Sequence, residues 1–161
     1  MIEVTAGDVL DGEKLLDLLG CRRDPLPGES FNDACARLKK AGPRPSYRLY
    51  VVRDGDVVFY VGQSQNVINR LWDHLGEGCW ARVQGKSNLG RLIKFNLPAS
   101  RVWQIELLTV EDCQDYGETY GDVSRAEQLL IDYHSPYLNV KGNRASSGLL
   151  PECYKTPWVR R

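Results

Sequence analysis

Asp54-Gly55 narrows what this chain can fold into more than any other feature. It stands between two runs rich in aromatic and β-branched residues, 47–53 and 57–61. An Asp-Gly pair in that setting is the commonest chemistry of a tight hairpin, because the turn needs a backbone conformation that glycine takes freely. A two-stranded antiparallel ribbon is therefore expected in the middle of the chain.

Helical signals follow the ribbon. Asn66 is placed to cap a helix carrying Val67, Leu71 and Leu75 at helical spacing, with Gly76 as its stop. Residues 89–95 predict a second helix and 102–110 a strand. Residues 123–133 predict a last helix, with Ala126, Leu129, Leu130 and Tyr133 as its apolar stripe. Before the ribbon, Gly42-Pro43-Arg44-Pro45 breaks any helix and marks a boundary. Upstream of it, Leu15, Leu16, Leu18 and Leu19 cluster after Asp11. Ser30-x-x-Asp33 resembles a capping box ahead of Ala34, Ala36 and Leu38. The expected organisation is a helical N-terminal extension over 1–45, a β-β-α-α-β-α domain over 46–140, and an irregular basic C-terminal tail over 141–161.

A chain of 161 residues, 42% apolar and 26% charged, suits one ordinary core. Its first ten residues carry Glu3 and Asp8 instead of a basic leader, and no apolar run approaches the ~20 residues a membrane helix needs. A soluble cytoplasmic protein with no membrane partner is expected. The five cysteines are widely spaced and form no C-x-x-C pair, which fits free thiols in a reducing compartment. Net charge is zero, yet it is unevenly distributed. Residues 46–101 have eight positive and four negative side chains, 102–132 one and eight, and 133–161 five and one. Phosphate binding needs Lys and Arg, and the basic segments hold the residues of chemical interest.

Arg70 and His74 are four apart and project from one helical face. The ribbon supplies Tyr50 and Tyr60, followed by Gly62, where a missing side chain leaves room for a ligand or a backbone. Glu127 lies on the last helix and Asn139 just beyond it. Phosphodiester hydrolysis builds negative charge on phosphate and needs an activated nucleophile. Arginine fits phosphate bidentately, and one carboxylate can hold a Mg²⁺ ion that keeps most of its waters. Taken singly, each residue has a plainer reading as sheet packing, an exposed helix face or a turn. It is their combination that points to chemistry.

The set Arg48-Leu49-Tyr50, Tyr60-Val61-Gly62, Arg70, His74, Glu127 and Asn139 resembles the GIY-YIG nucleases over about residues 46–140. The resemblance implies an α+β fold with a small three-stranded antiparallel sheet flanked by helices. It implies a metal-dependent endonuclease acting on nucleic acid, DNA favoured over RNA, that leaves 5′-phosphate and 3′-hydroxyl ends. One Mg²⁺ or Mn²⁺ ion would be bound by Glu127, and Arg70 would contact the scissile phosphate. Tyr60, or a neighbouring Tyr or His, would act as general base, with Tyr50 and His74 completing the hydrogen-bonded pocket and Asn139 bracing it. Arg48 and Leu49 depart from the family's Gly-Ile. The interval between His74 and Glu127 is long, and substrate contacts are expected there and nearby, at Arg48, Gly62, Lys86 and Arg91. The competing classes are a non-cleaving nucleic-acid-binding module and a subunit active only with a protein partner or on self-association.

Two other features carry less. Gly85-Lys86-Ser87 has Trp80 where a phosphate-binding loop needs its first glycine. His134 is expected to pack at a helix end, and Tyr154, Trp158, Arg160 and Arg161 either pack on the core or meet single-stranded nucleic acid.

Overall fold

The computed structural model describes residues 1–10, 27–30, 33, 36, 46–67, 70–71, 88–139 and 150–156. The hairpin forms where Asp54-Gly55 places it. Strand β2 (Leu49–Asp54) turns at Gly55, φ +58°, into β3 (Val57–Gln63). Val67, Arg70 and Leu71 are helical, and the carbonyl of Asn66 accepts the Arg70 N–H at 3.1 Å, the first bond of that turn. Helix α2 (Asn88–Phe95), strand β4 (Gln104–Leu108) and helix α3 (Val123–His134) follow in the expected order, with 3₁₀ turns at Ala99–Val102 and Glu111–Tyr116. Asp122 caps α3 by accepting the Ser124 and Arg125 N–H groups.

The sheet has four strands, not the three that the family resemblance implies. The first ten residues supply β1 (Ile2–Thr5) and a short helix α1 (Ala6–Leu10), so the N-terminal segment is not purely helical. Ile2-Glu3-Val4-Thr5 alternates apolar and polar at period two, and two of its residues are β-branched aliphatics suited to a pleated surface. All neighbours are antiparallel in the order β1-β4-β2-β3. Arg53 on β2 ties three strands together, bonding Glu106 of β4 at 2.8 Å and Glu3 of β1 at 2.7 Å.

Further upstream, the Asp33 N–H donates to Ser30 Oγ at 3.2 Å, and Asp33 and Ala36 are helical, as the capping-box reading expects. The expected leucine-rich helix at 15–19 and the 42–45 break lie outside the described residues. So do Leu75 and Gly76. The described tail, 150–156, contains neither helix nor strand.

Apolar residues from alternate strand positions fill two cores, one on each face of the sheet. On the first, α1 and α2 cover Tyr50, Val52, Phe59, Ile105 and Leu107 with Val9, Leu89, Leu92 and Ile93. On the second, α3 and the Glu111–Tyr116 turn cover Leu49, Val51, Val61 and Leu108 with Cys113, Ala126, Leu130 and Ile131. Strict alternation breaks once. Val52 faces Tyr60 and Arg53 faces Val58, so Phe59 has no partner across the ribbon. This bulge lets Phe59 join the first core, stacked 4.4 Å from Trp103, while Tyr60 also packs against that core. No helix among the described residues is long and apolar enough to cross a membrane.

Candidate functional site

The site is assembled on the last four residues of β3. Tyr50 on β2 is fully buried and stands opposite Gly62 in the sheet register. A Cβ at Gly62 would lie 2.4 Å from the Tyr50 phenol oxygen and ring. The space at Gly62 is therefore filled by the Tyr50 ring, where the sequence suggested an approaching ligand or backbone. Tyr50 and Tyr60 pack with ring centroids 5.9 Å apart and planes tilted by 32°.

Arg70 reaches this pair from the helical turn beyond β3 and hydrogen-bonds both phenol oxygens. Burial pushes the Tyr50 phenol well above its ordinary range and Tyr60 adds to the effect, while Arg70 opposes it. Tyr50 therefore keeps its proton at any ordinary pH. Partial burial would lower the Arg70 guanidinium, but the facing phenol oxygens outweigh that and hold it above its ordinary value. The result is an exposed cation that faces two phenol hydroxyls.

Glu127 approaches the same strand end from the second face. It is half-buried, and burial raises its carboxyl above the ordinary range, while a hydrogen bond from the Gln63 amide lowers it in part. Gln63 also lies 3.5 Å from Ser124 Oγ, one helical turn before Glu127. Neither Gln63 nor Ser124 was singled out from sequence. The only signal for Gln63 is its position two residues past Val61, on the sheet face that α3 covers. No group of three or more His, Cys, Asp or Glu gathers for a metal among the described residues.

Asn139 stands between the two halves. Its Oδ1 accepts the Val61 N–H at 2.8 Å and its Nδ2 donates to the Val61 carbonyl at 2.7 Å. With the Tyr137 and Leu138 N–H groups bonded to the Val58 and Phe59 carbonyls, residues 137–139 satisfy the free edge of β3. Asn139 thus acts on strand geometry.

The remaining candidates divide. Arg48 Nε is bonded to the Ser64 carbonyl at 3.2 Å, beside the start of the Arg70 helix. Arg91 is exposed on α2, which covers the same sheet face as Tyr50. His74 and Lys86 lie outside the described residues, as do Trp158, Arg160 and Arg161. His134 packs as expected at the end of α3, its ring against Tyr116 and Tyr133, with Nε2 buried and unpartnered among the described residues. Tyr154 packs edge-on against Phe59 and Trp103 and donates to Asp54 at 2.7 Å, so this part of the tail belongs to the core. Cys113 and Cys153 are free thiols, and burial pushes Cys113 up to about 11.

Comparison with protein-family models, curated proteins and solved structures returns no match. The functional reading rests on the residues alone.

Proposed function

We propose that this chain is a GIY-YIG-type endonuclease that hydrolyses phosphodiester bonds in nucleic acid, DNA in preference to RNA, with one divalent metal ion. The observation that carries this reading is the hydrogen bonding of one guanidinium, Arg70, to both Tyr50 and Tyr60. An arginine oriented by two hydroxyls can present its remaining N–H groups to a phosphate with little reorganisation as charge develops there. The element order and the placing of Asn139 and Glu127 at the same strand end support the same assignment.

Roles follow from burial. Tyr50 is sealed in the core and keeps its proton, so it orients Arg70. Tyr60 is only half-buried, and once it has lost its own proton its phenolate would be the group to take a proton from an attacking water. Glu127 fits a hard cation: it is a partly desolvated carboxylate that, among the described residues, is met by the Gln63 amide, and a single carboxylate suits Mg²⁺ or Mn²⁺, which retain several waters. When bound, the ion supplies charge stabilisation at the phosphate. Arg70 holds the scissile phosphate, Asn139 keeps Val61 in register between the two halves, and the family resemblance would add His74. The products are 5′-phosphate and 3′-hydroxyl ends.

Cleavage of labelled single- and double-stranded DNA with Mg²⁺ or Mn²⁺ tests this. Wild type should cut in a metal-dependent manner, and Arg70→Ala or Glu127→Ala should each lower the rate about 10²-fold or more. Tyr60→Phe should do the same while leaving DNA affinity unchanged. Absence of cutting, with binding indifferent to all three substitutions, would replace the enzyme with a binding module.

A further inference from the structure

Residues 88–103 contain Arg91, Lys94 and Arg101 and no acidic side chain. Arg91 and Arg101 are exposed, Lys94 in part. Arg91 and Phe95 are four apart on the outer face of α2, and Phe95 is 55% exposed although it is a large aromatic. The 3₁₀ turn after α2 exposes Arg101 and Val102, the latter by 69%. The tail brings a further cation. Asn96 donates to the Lys155 carbonyl at 2.8 Å and accepts the Lys155 N–H at 2.9 Å, which pins exposed Lys155 beside Phe95. Next to this anchor, between Val102 and Tyr154, opens a cavity of about 230 Å³ walled by Trp103, with the Asp54 carboxylate in its lining engaged by the Tyr154 hydroxyl. The cavity is smaller than the sites that take drug-sized ligands and of a size with one planar ring.

Three cations spaced around an exposed aromatic, beside an aromatic-walled cleft, match a nucleic-acid backbone with an unpaired base. The cations meet successive phosphates, and Phe95 offers a π-face that any base can stack on. An apolar docking surface for protein would not carry this charge at its centre, since charged residues are depleted from interface cores. The surface borders Asp54 and Trp103 at the hairpin-turn end of the sheet, while Tyr50 and Gly62 lie toward the other strand end, so a strand bound there would run along the sheet to reach the proposed cleavage site. We propose that Arg91, Phe95, Arg101 and Lys155 form a second nucleic-acid contact that holds an unpaired stretch flanking the scissile bond. This rests on the endonuclease reading for its place in the reaction, but its binding can be measured without cutting.

The experiment is fluorescence anisotropy of a labelled 20-nucleotide oligo-dT and of a 20-base-pair duplex, with full-length protein in EDTA so that no cleavage intervenes. The triple substitution Arg91→Gln, Arg101→Gln, Lys155→Gln should reduce the slope of log Kd against log salt for oligo-dT by about 2, as expected for three lost phosphates on a single strand. Phe95→Ala should weaken oligo-dT about tenfold and the duplex far less. Circular dichroism confirms that each variant is folded; all four side chains are exposed, so they should be. An unchanged slope and unchanged oligo-dT affinity in folded variants overturn the proposal. So does binding of anionic phosphatidylglycerol vesicles that the substitutions abolish while oligo-dT binding persists. Failure of cleavage with loss of oligo-dT binding in the variants would sink the enzyme reading and leave this surface standing. Cleavage that the variants leave intact, with unaltered binding, would do the reverse.

Discussion

At the scale of single residues, the decisive contact is between two positions that sequence reading treated separately. Tyr50 and Gly62 face each other across the hairpin, and the phenol lies where a Cβ on residue 62 would have to be. Gly62→Ala should therefore displace the Tyr50 ring, and with it the hydrogen bonds to Arg70, at a cost of about 1–3 kcal/mol for overpacking a closed site. Urea denaturation would show this as a lower midpoint at unchanged slope. The control is Gly55→Ala, where nothing lies within 4 Å and the cost comes from the positive φ alone. If crystals or NMR of Gly62→Ala showed Tyr50 unmoved, the glycine would be there for something other than the tyrosine. The residues of this pocket were legible because they are unusual types in a recognisable order. Their contacts were not, since whether a glycine makes room for a ligand or for a neighbouring ring depends on strand register, and the bulge at Phe59 shifts that register within the same hairpin.

At the scale of elements, long and strongly patterned segments were legible. The Asp54-Gly55 hairpin, α2, β4 and α3 fall within a few residues of their expected bounds, because each carries its own turn, cap or apolar stripe. Strand β1 was missed. Four residues of alternation are too few to be read against noise, and their stability comes from β4, which lies some hundred residues away in sequence. The same limitation hid the work of Asn139. Following Pro136, it reads as a turn residue, yet it is bonded in both directions to Val61, 78 positions earlier. Asn139→Ala leaves an N–H and a carbonyl at the β3 edge without these partners and should destabilise by about 1–3 kcal/mol. Asn139→Asp separates two roles. It keeps an acceptor for the Val61 N–H but sets a carboxylate against the Val61 carbonyl, so it should lose as much stability as the alanine variant or more. Amide hydrogen exchange at Val61 should quicken in both. Protection equal to wild type in either would mean that the strand edge holds without Asn139, and that the residue's place is in the chemistry.

For the whole molecule, net charge is zero, and among the described residues charge is divided across the sheet. The segment that carries eight acids and one base, 102–132, enters as β4 and then builds the 3₁₀ turn and α3 on the second face. The cations of α2, the Ala99–Val102 turn and Lys155 lie on the first face, with Tyr50, Tyr60 and Arg70. The charge bias along the chain was visible in sequence, but only the topology converts it into two sides. Among the described residues charge is therefore divided between the two faces, and an approaching polyanion is steered by them toward one face and away from the other. The consequence is kinetic. Glu111 and Asp115 are both exposed on the acidic 3₁₀ turn, remote from the basic surface. Replacing them as Glu111→Gln with Asp115→Asn removes long-range repulsion without altering any contact to bound nucleic acid. Association with oligo-dT measured by stopped flow at low salt should then quicken several-fold, dissociation should hold steady, and the difference should vanish near ~0.5 M salt, where screening acts over a few ångströms. Substitutions on the basic face should act oppositely, mainly raising the dissociation rate. A change in dissociation rate from the acidic-face pair would place nucleic acid in contact with α3 and its 3₁₀ turn, and the division between binding and non-binding faces would have to be redrawn with Glu127 at its border.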